Sequence, residues 1–224
     1  MNQFNELPYI PKIEKNKLII LLTQKSARSV DFLKLFNKPR ELYIFSILLH
    51  NEIVKQKNKE NIEISIKELQ NKYKMFRGES INDLMSYLNE LPNDMFYSYN
   101  LDKENRYLSY NIKQEYFNYN EKTFFLNVTL LKGLKPNSQR ILLFLMSMGP
   151  RAKYLHISHM ATILGIENKS HKLKQKSTKA VIETLLKYKF IKSYTYNRNK
   201  KCFYINMENI QTTELLKSLD FDSF

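Results

Sequence analysis

Apolar positions recur along this chain with two spacings, three to four residues and two, and the spacings alternate in nearly the same order in both halves. In the first half, Pro39–Glu52 predicts a helix with Leu42, Phe45, Leu48 and Leu49 on one side. Ile62-Glu-Ile-Ser-Ile66 alternates as a short strand, and Lys67–Tyr73 follows as a short helix. Ser80 can cap a helix over Ile81–Leu91 that turns Ile81, Leu84, Leu88 and Leu91 inward, and Pro92 stops it. Met95–Asn100 and Arg106–Ile112 alternate about a polar tip and predict a hairpin. The second half repeats the order. Asn137–Met148 is an apolar helix closed by Gly149-Pro150, Tyr154–Ile157 a strand, and Ser158–Leu164 a short helix with Gly165 as its C-cap. Ser177–Lys189 is a longer helix with Val181, Ile182, Leu185 and Leu186 inward. Ile191–Asn197 and Lys201–Met207 form a second hairpin about Arg198-Asn-Lys200.

The halves align with small offsets. Ile64, Ile66, Leu69 and Tyr73 fall 91 positions before Leu155, Ile157, Met160 and Leu164. Leu84 and Leu88 fall 97 before Val181 and Leu185, and Tyr97-Ser-Tyr-Asn100 falls 97 before Tyr194-Thr-Tyr-Asn197. Leu108, Tyr110 and Ile112 fall 95 before Phe203, Ile205 and Met207. Helix, strand, helix, helix, hairpin is the layout of a winged helix. The predicted fold class is therefore α+β: two tandem winged-helix domains related by internal duplication. Residues 1–128 form the first domain, 129–210 the second, and 211–224 a tail.

The 224 residues suit two small domains, and 43% apolar residues suffice for their cores. Only four Gly and six Pro argue against a large β-barrel. The single Cys202 excludes an internal disulfide framework and a cysteine-based zinc finger, and fits a reducing compartment. The longest apolar stretches, Leu18–Leu22 and Ile141–Met146, are far short of a membrane span, and the start lacks the basic region of an export signal. A soluble, cytoplasmic protein without membrane partners is expected.

Charge separates the halves more sharply than pattern does. Residues 1–128 hold 19 Lys+Arg against 16 Asp+Glu, whereas residues 129–224 hold 17 against 6. Most of that excess lies between Lys169 and Lys201, at the front of the second copy's recognition helix (about Leu173 to Lys189) and at the tip of its wing. Candidate DNA-binding residues are Lys169, Lys172, Lys174, Gln175, Lys176, Ser177, Thr178 and Lys179 on the helix side and Arg198, Asn199, Lys200 and Lys201 on the wing. Lys supplies ammonium donors to phosphate or guanine, Gln pairs with adenine, and hydroxyls bond either phosphate or base. Double-stranded DNA is the leading partner.

The first copy lacks this chemistry. Its equivalent helix carries Asn82, Asp83, Asn89 and Glu90, and its tip Leu101-Asp-Lys-Glu-Asn105 is near neutral. Tyr97, Tyr99, Tyr107, Tyr110, Tyr116, Phe117, Tyr119, Phe124 and Phe125 crowd its strands as core or protein interface. It reads as an assembly module with auxiliary backbone contacts from Lys67, Lys72, Lys74 and Arg77. No chemistry of bond-making stands out, so neither an enzyme, a cofactor nor a metal is expected. His156 and His159 straddle a strand-to-helix junction with no zincin Glu, and there is no phosphate-binding Gly-rich loop.

The chain resembles the theta-type, iteron-binding plasmid replication initiators over roughly residues 12–207. The resemblance rests on the tandem winged helices, the near-neutral first copy and the basic second. Local echoes are Lys15-Asn-Lys-Leu-Ile19, and Phe124-Phe-Leu-Asn-Val-Thr-Leu-Leu-Lys-Gly-Leu134 leading into Ser138-Gln-Arg-Ile-Leu-Leu-Phe-Leu145. The chain departs from the family in a shorter stretch between Leu134 and Ser138, and in Phe144-Leu-Met146 where the family's helix ends Tyr-rich. The resemblance implies a second domain that reads the major groove of repeated origin sites and a first that dimerises, in a monomer–dimer equilibrium. Host replication initiator and helicase proteins are the further partners it implies. The tail Leu215–Phe224 loosely matches short hydrophobic-acidic docking peptides, although a packed or frayed tail is the plainer reading. A winged-helix transcription regulator is the nearest alternative, and an RNA- or single-strand-binding protein the next.

Overall fold

Alternating and helix-period runs become three small antiparallel sheets and eight α-helices among the described residues. The computed structural model describes residues 19–55, 62–73, 78–116, 122–131, 133–149 and 153–207. Lys74, Arg77, Phe117, Tyr119 and the tail from 208 onward lie outside them. The chain divides into two units, 1–23 with 35–133, and 24–34 with 134–224.

Along the first part of the chain run β1 (Ile19–Thr23), α1 (Gln24–Arg28), α2 (Val30–Leu35) and α3 (Glu41–Lys55). Then follow β2 (Ile62–Ser65), α4 (Ile66–Lys72), α5 (Ile81–Asn89), β3 (Phe96–Asp102), β4 (Tyr107–Ile112) and β5 (Thr123–Asn127). In the first unit, β2, β4 and β3 form one sheet in that order, and β1 pairs with β5. Helix α3 has Leu42, Phe45, Leu48 and Leu49 buried as predicted, but every residue from Ile44 to Glu52 is buried. It runs through the core with α5, β1 and β4 around it. Its polar residues are consequently all engaged. Ser46 donates to Leu42 O, His50 Nδ1 lies 2.9 Å from the Tyr73 hydroxyl, and Asn51 Nδ2 donates to the Tyr110 hydroxyl. Glu52 Oε2 accepts from Ile112 N at 2.8 Å. Of the aromatic set, Tyr110, Tyr116 and Phe124 are core. Tyr99 donates its hydroxyl to Leu88 O, while Tyr97 and Tyr107 are exposed.

The second unit contains α6 (Pro136–Ser147), β6 (Lys153–His156), α7 (Ile157–Leu164), α8 (His171–Lys187), β7 (Ile191–Asn197) and β8 (Cys202–Met207). Its sheet order is β6, β8, β7. Gly165 ends α7 at φ 68°, with Ile166 N bonded to Ala161 O, the left-handed C-cap expected of that glycine. The unit also takes in residues 24–34, which the sequence boundary at 128/129 places in the first domain. Helix α1 packs on α6, Arg28 donates to Ser147 O at 2.7 Å, and Lys34 pairs with Glu167 at 2.7 Å. Ala27, Phe32 and Leu33 are buried. So short a segment leaves no periodicity from which its destination could be read.

The two sheets share topology and register. Tyr99 pairs with Tyr110 and Tyr194 with Ile205, so equivalent positions of the outer strands are 95 apart. Matching Tyr97–Asn100 to Tyr194–Asn197 at 97 is therefore out of register by two residues. A two-residue slip leaves every side chain on its own face, which is why the pattern conceals it. Both hairpins carry a bulge in the same place, between Phe96 and Ser98 and between Ile191 and Ser193. Both tips are held by an Asx turn: Asp102 Oδ1 accepts from Glu104 N and Asn105 N, and Asn197 Oδ1 from Lys200 N. Arg106 and Lys201 follow at φ 58° and 49°, and their carbonyls accept from Ile66 N and Ile157 N.

Candidate nucleic-acid interface

Ser170 caps α8, its Oγ accepting from Leu173 N, and the helix begins at His171, six residues before the predicted Ser177. The run His171–Lys176 has no apolar period, but Lys, Gln and Leu are all good helix formers. At the far end Lys189 adopts φ 61°. Phe190 N bonds to Leu185 O and Lys189 N to Leu186 O, a Schellman cap closed without glycine. The helix therefore stops at Lys187.

At 100° per residue, the buried Thr178, Val181, Ile182 and Leu185 occupy an arc of about 100° on α8. Lys172, Lys176, Lys179 and Glu183 are all exposed and share an arc of about 60° on the opposite side. This stripe extends for about 17 Å along the axis. Lys174 falls instead within the buried arc, one turn before Thr178, where it is half-buried and its charge acts on Glu167. Gln175 and Ser177 are half-buried at the edges, and Lys169 is exposed in the turn before the helix.

Two assignments need correction. Thr178, expected among the DNA-facing residues, is fully buried, because it lies three, four and seven residues before Val181, Ile182 and Leu185. Its Oγ1 has no hydrogen-bond partner. Leu186, expected inward, is exposed at the edge of the lysine stripe, and Leu173 is exposed as well.

The wing tip presents Arg198, Asn199, Lys200 and Lys201, all exposed. Between Asn168 and Met207 the chain carries eleven Lys and Arg and a single carboxylate, Glu183. That carboxylate is engaged by Lys179 Nζ at 3.5 Å and accepts from the Tyr194 hydroxyl on β7 at 3.1 Å. Burial, reinforced by this bond to Glu183, raises the Tyr194 phenol above its ordinary pKa. The link between helix and wing was invisible in the sequence, although the 172, 176, 179, 183 spacing that builds the stripe could have been found there. Just outside the region, Glu167 is held below the usual carboxylate range, first by its hydrogen bond from Lys34.

The equivalent helix of the first unit is electrostatically closed. Ser80 and Asp83 form a capping box at the start of α5, and the bonds from Ser80 keep the Asp83 carboxyl below its ordinary value. A carboxylate of the protein thus occupies the helix end where a phosphate would otherwise dock. Nearby cations are matched: Lys38 with Glu90 at 2.7 Å, and Arg40 with Glu79 at 2.9 Å. Of the proposed auxiliary residues, Lys67 is exposed. Lys72 donates to Asn51 Oδ1 at 2.7 Å beside the Tyr73 ring, so it is directed into the unit.

His156 Nδ1 accepts from Ser158 N at the start of α7, and the His159 ring lies against Phe144. Among the described residues no three His, Cys, Asp or Glu gather as a metal site would require, and no helix is long and apolar enough to cross a membrane.

Neither a family model nor a curated protein matches the chain. Among solved structures it is similar to the Pi initiator protein in complex with iteron DNA. The identity is 9%, the TM-score 0.59, and the match covers 88% of this chain and all of the other. At that identity the likeness is one of fold: an α+β chain of winged-helix units, as the order of elements predicted.

Proposed function

We propose that the chain is a sequence-specific double-stranded DNA-binding protein that initiates replication of a plasmid by binding repeated sites at its origin. The observation that carries the reading is the exposed Lys172, Lys176 and Lys179 stripe on α8, in the same unit as the four exposed residues of the wing tip. A helix of this kind enters the major groove with its lysines reaching phosphates and guanine edges, while the wing reaches adjacent backbone. The fold shared with an iteron-bound initiator supports extending this from DNA binding to initiation. The protein acts by binding, not by bond-making.

The first unit serves assembly, in a monomer–dimer equilibrium, with Lys67 as a backbone contact; its self-capped α5 and neutral tip favour that division. Matching sheet order and bulge positions support an origin of the two units by duplication. Host initiator and helicase proteins are the expected partners at the origin.

The test has two stages. Selection of bound duplexes from a random pool, followed by sequencing, should recover one site of about two helical turns, since two units share it. Uniform recovery contradicts sequence-specific binding. The recovered site, placed in direct repeats on a replicon lacking its own initiator, should then support replication only when the gene is present. Binding without replication would leave a transcription regulator.

A further inference from the structure

We infer that Glu183 is a specificity-determining residue of α8 that accepts a hydrogen bond from the exocyclic amino group of a cytosine, with Tyr194 as its positioning residue. The inference rests on the reading of α8 as a helix that enters the major groove.

A lone carboxylate among eleven cations is a poor arrangement for holding phosphates, because it repels the backbone those cations attract. Glu183 nevertheless lies on the exposed arc of Lys172, Lys176 and Lys179, away from the helix's buried side. Its orientation is constrained from two directions. Lys179, one turn earlier, approaches Oε1 at 3.5 Å, and the Tyr194 hydroxyl reaches the same oxygen at 3.1 Å. Tyr194 is in turn steadied against Phe203, with ring centroids 6.2 Å apart. Neither contact uses Oε2, and Glu183 remains exposed. An ionised carboxylate only accepts hydrogen bonds, so it selects among bases by the donors they present. Guanine offers N7 and O6, both acceptors, and thymine offers the O4 acceptor. Adenine sets its N7 acceptor beside its amine, whereas cytosine offers the N4 amine alone.

The experiment is site selection from a random duplex pool with the full-length wild type, Glu183→Ala, Glu183→Gln and Tyr194→Phe. The wild type should show one position in each recovered site where cytosine is preferred by about 5- to 150-fold, the ordinary cost of one mismatched base pair. Glu183→Ala should flatten that position and leave the others. Glu183→Gln, which can donate as well as accept, should move it toward adenine, and Tyr194→Phe should weaken the preference without abolishing it. If Glu183→Ala retains the cytosine, the inference fails while sequence-specific binding stands. If Glu183→Ala weakens every position together, Glu183→Gln decides, since it keeps the size and a hydrogen bond to Tyr194. Unchanged cytosine preference in Glu183→Gln would make Glu183 a staple between helix and wing and overturn the inference. A wild-type pool with no preferred sequence would instead overturn the functional reading beneath it.

Discussion

Replacing Lys172, Lys176 and Lys179 together with Ala leaves Lys187 as the one exposed lysine on the outward side of α8 and leaves the buried arc intact. Each phosphate contact releases counterions and contributes about 0.9 to the slope of log affinity against log salt. Three lost contacts should therefore flatten that slope by about 2.7. Extrapolating the same dependence to 1 M salt, each contact is worth about 5-fold in affinity at 0.15 M, and the three about 150-fold. Stability should hardly change, because the three side chains are exposed and the Lys179–Glu183 pair contributes only about 0.3–0.5 kcal/mol. The assay is equilibrium binding to the selected duplex from 50 to 400 mM salt, with thermal melting of each variant alongside. Lys174→Ala is the internal control: half-buried and in phase with the buried side of the helix, it should change the slope by well under half a unit. A triple variant with the wild-type slope would refute the assignment of this arc to DNA. So would a Lys174→Ala variant that accounts for most of the loss.

Thr178→Val should raise stability by about 1 kcal/mol in denaturant unfolding, because a buried hydroxyl without a partner is replaced by a methyl. DNA affinity should be unchanged; a marked loss would return Thr178 to the binding face. The Asp83 carboxyl, held low by Ser80, should titrate below an ordinary aspartate when followed by carboxyl NMR, and Ser80→Ala should move its midpoint up. Because the folded pKa is the depressed one, the capping box contributes fully above the ordinary aspartate range and its contribution drains away as pH falls through the lowered value. An Asp83 midpoint indifferent to Ser80→Ala would contradict this.

The wings were legible because Ile191–Asn197 and Cys202–Met207 alternate cleanly on either side of a polar tip. The α5 start was legible because Ser80 and Asp83 carry the spacing that a capping box requires. Other features were hidden for identifiable reasons. The start of α8 has helix propensity without amphipathic period, so periodicity located only its later turns. Thr178 read as a polar residue beside lysines, and only its phase relative to Val181 and Leu185 places it inside. Pairing of β1 with β5 joins Ile19 to Asn127 across more than a hundred residues, and nothing local records such a partnership. In the candidate interface, residue types alone do not sort the lysines: Lys172, Lys176 and Lys179 are separated from Lys174 by helical phase, which becomes usable only once the helix is known to start at His171.

The segment 24–34, structurally part of the second unit, has a consequence during synthesis. Arg28 and Lys34 wait for partners 119 and 133 positions further along the chain. At about 5–20 residues per second, that delay is roughly 6–27 s on the ribosome. The larger part of the first unit, residues 35–133, is translated in the interval, while Phe32 and Leu33 still lack the surface that will bury them. Order of emergence and order of assembly are thus inverted for these eleven residues. Their packing is completed only when the rest of the second unit, beginning at Leu134, has been made.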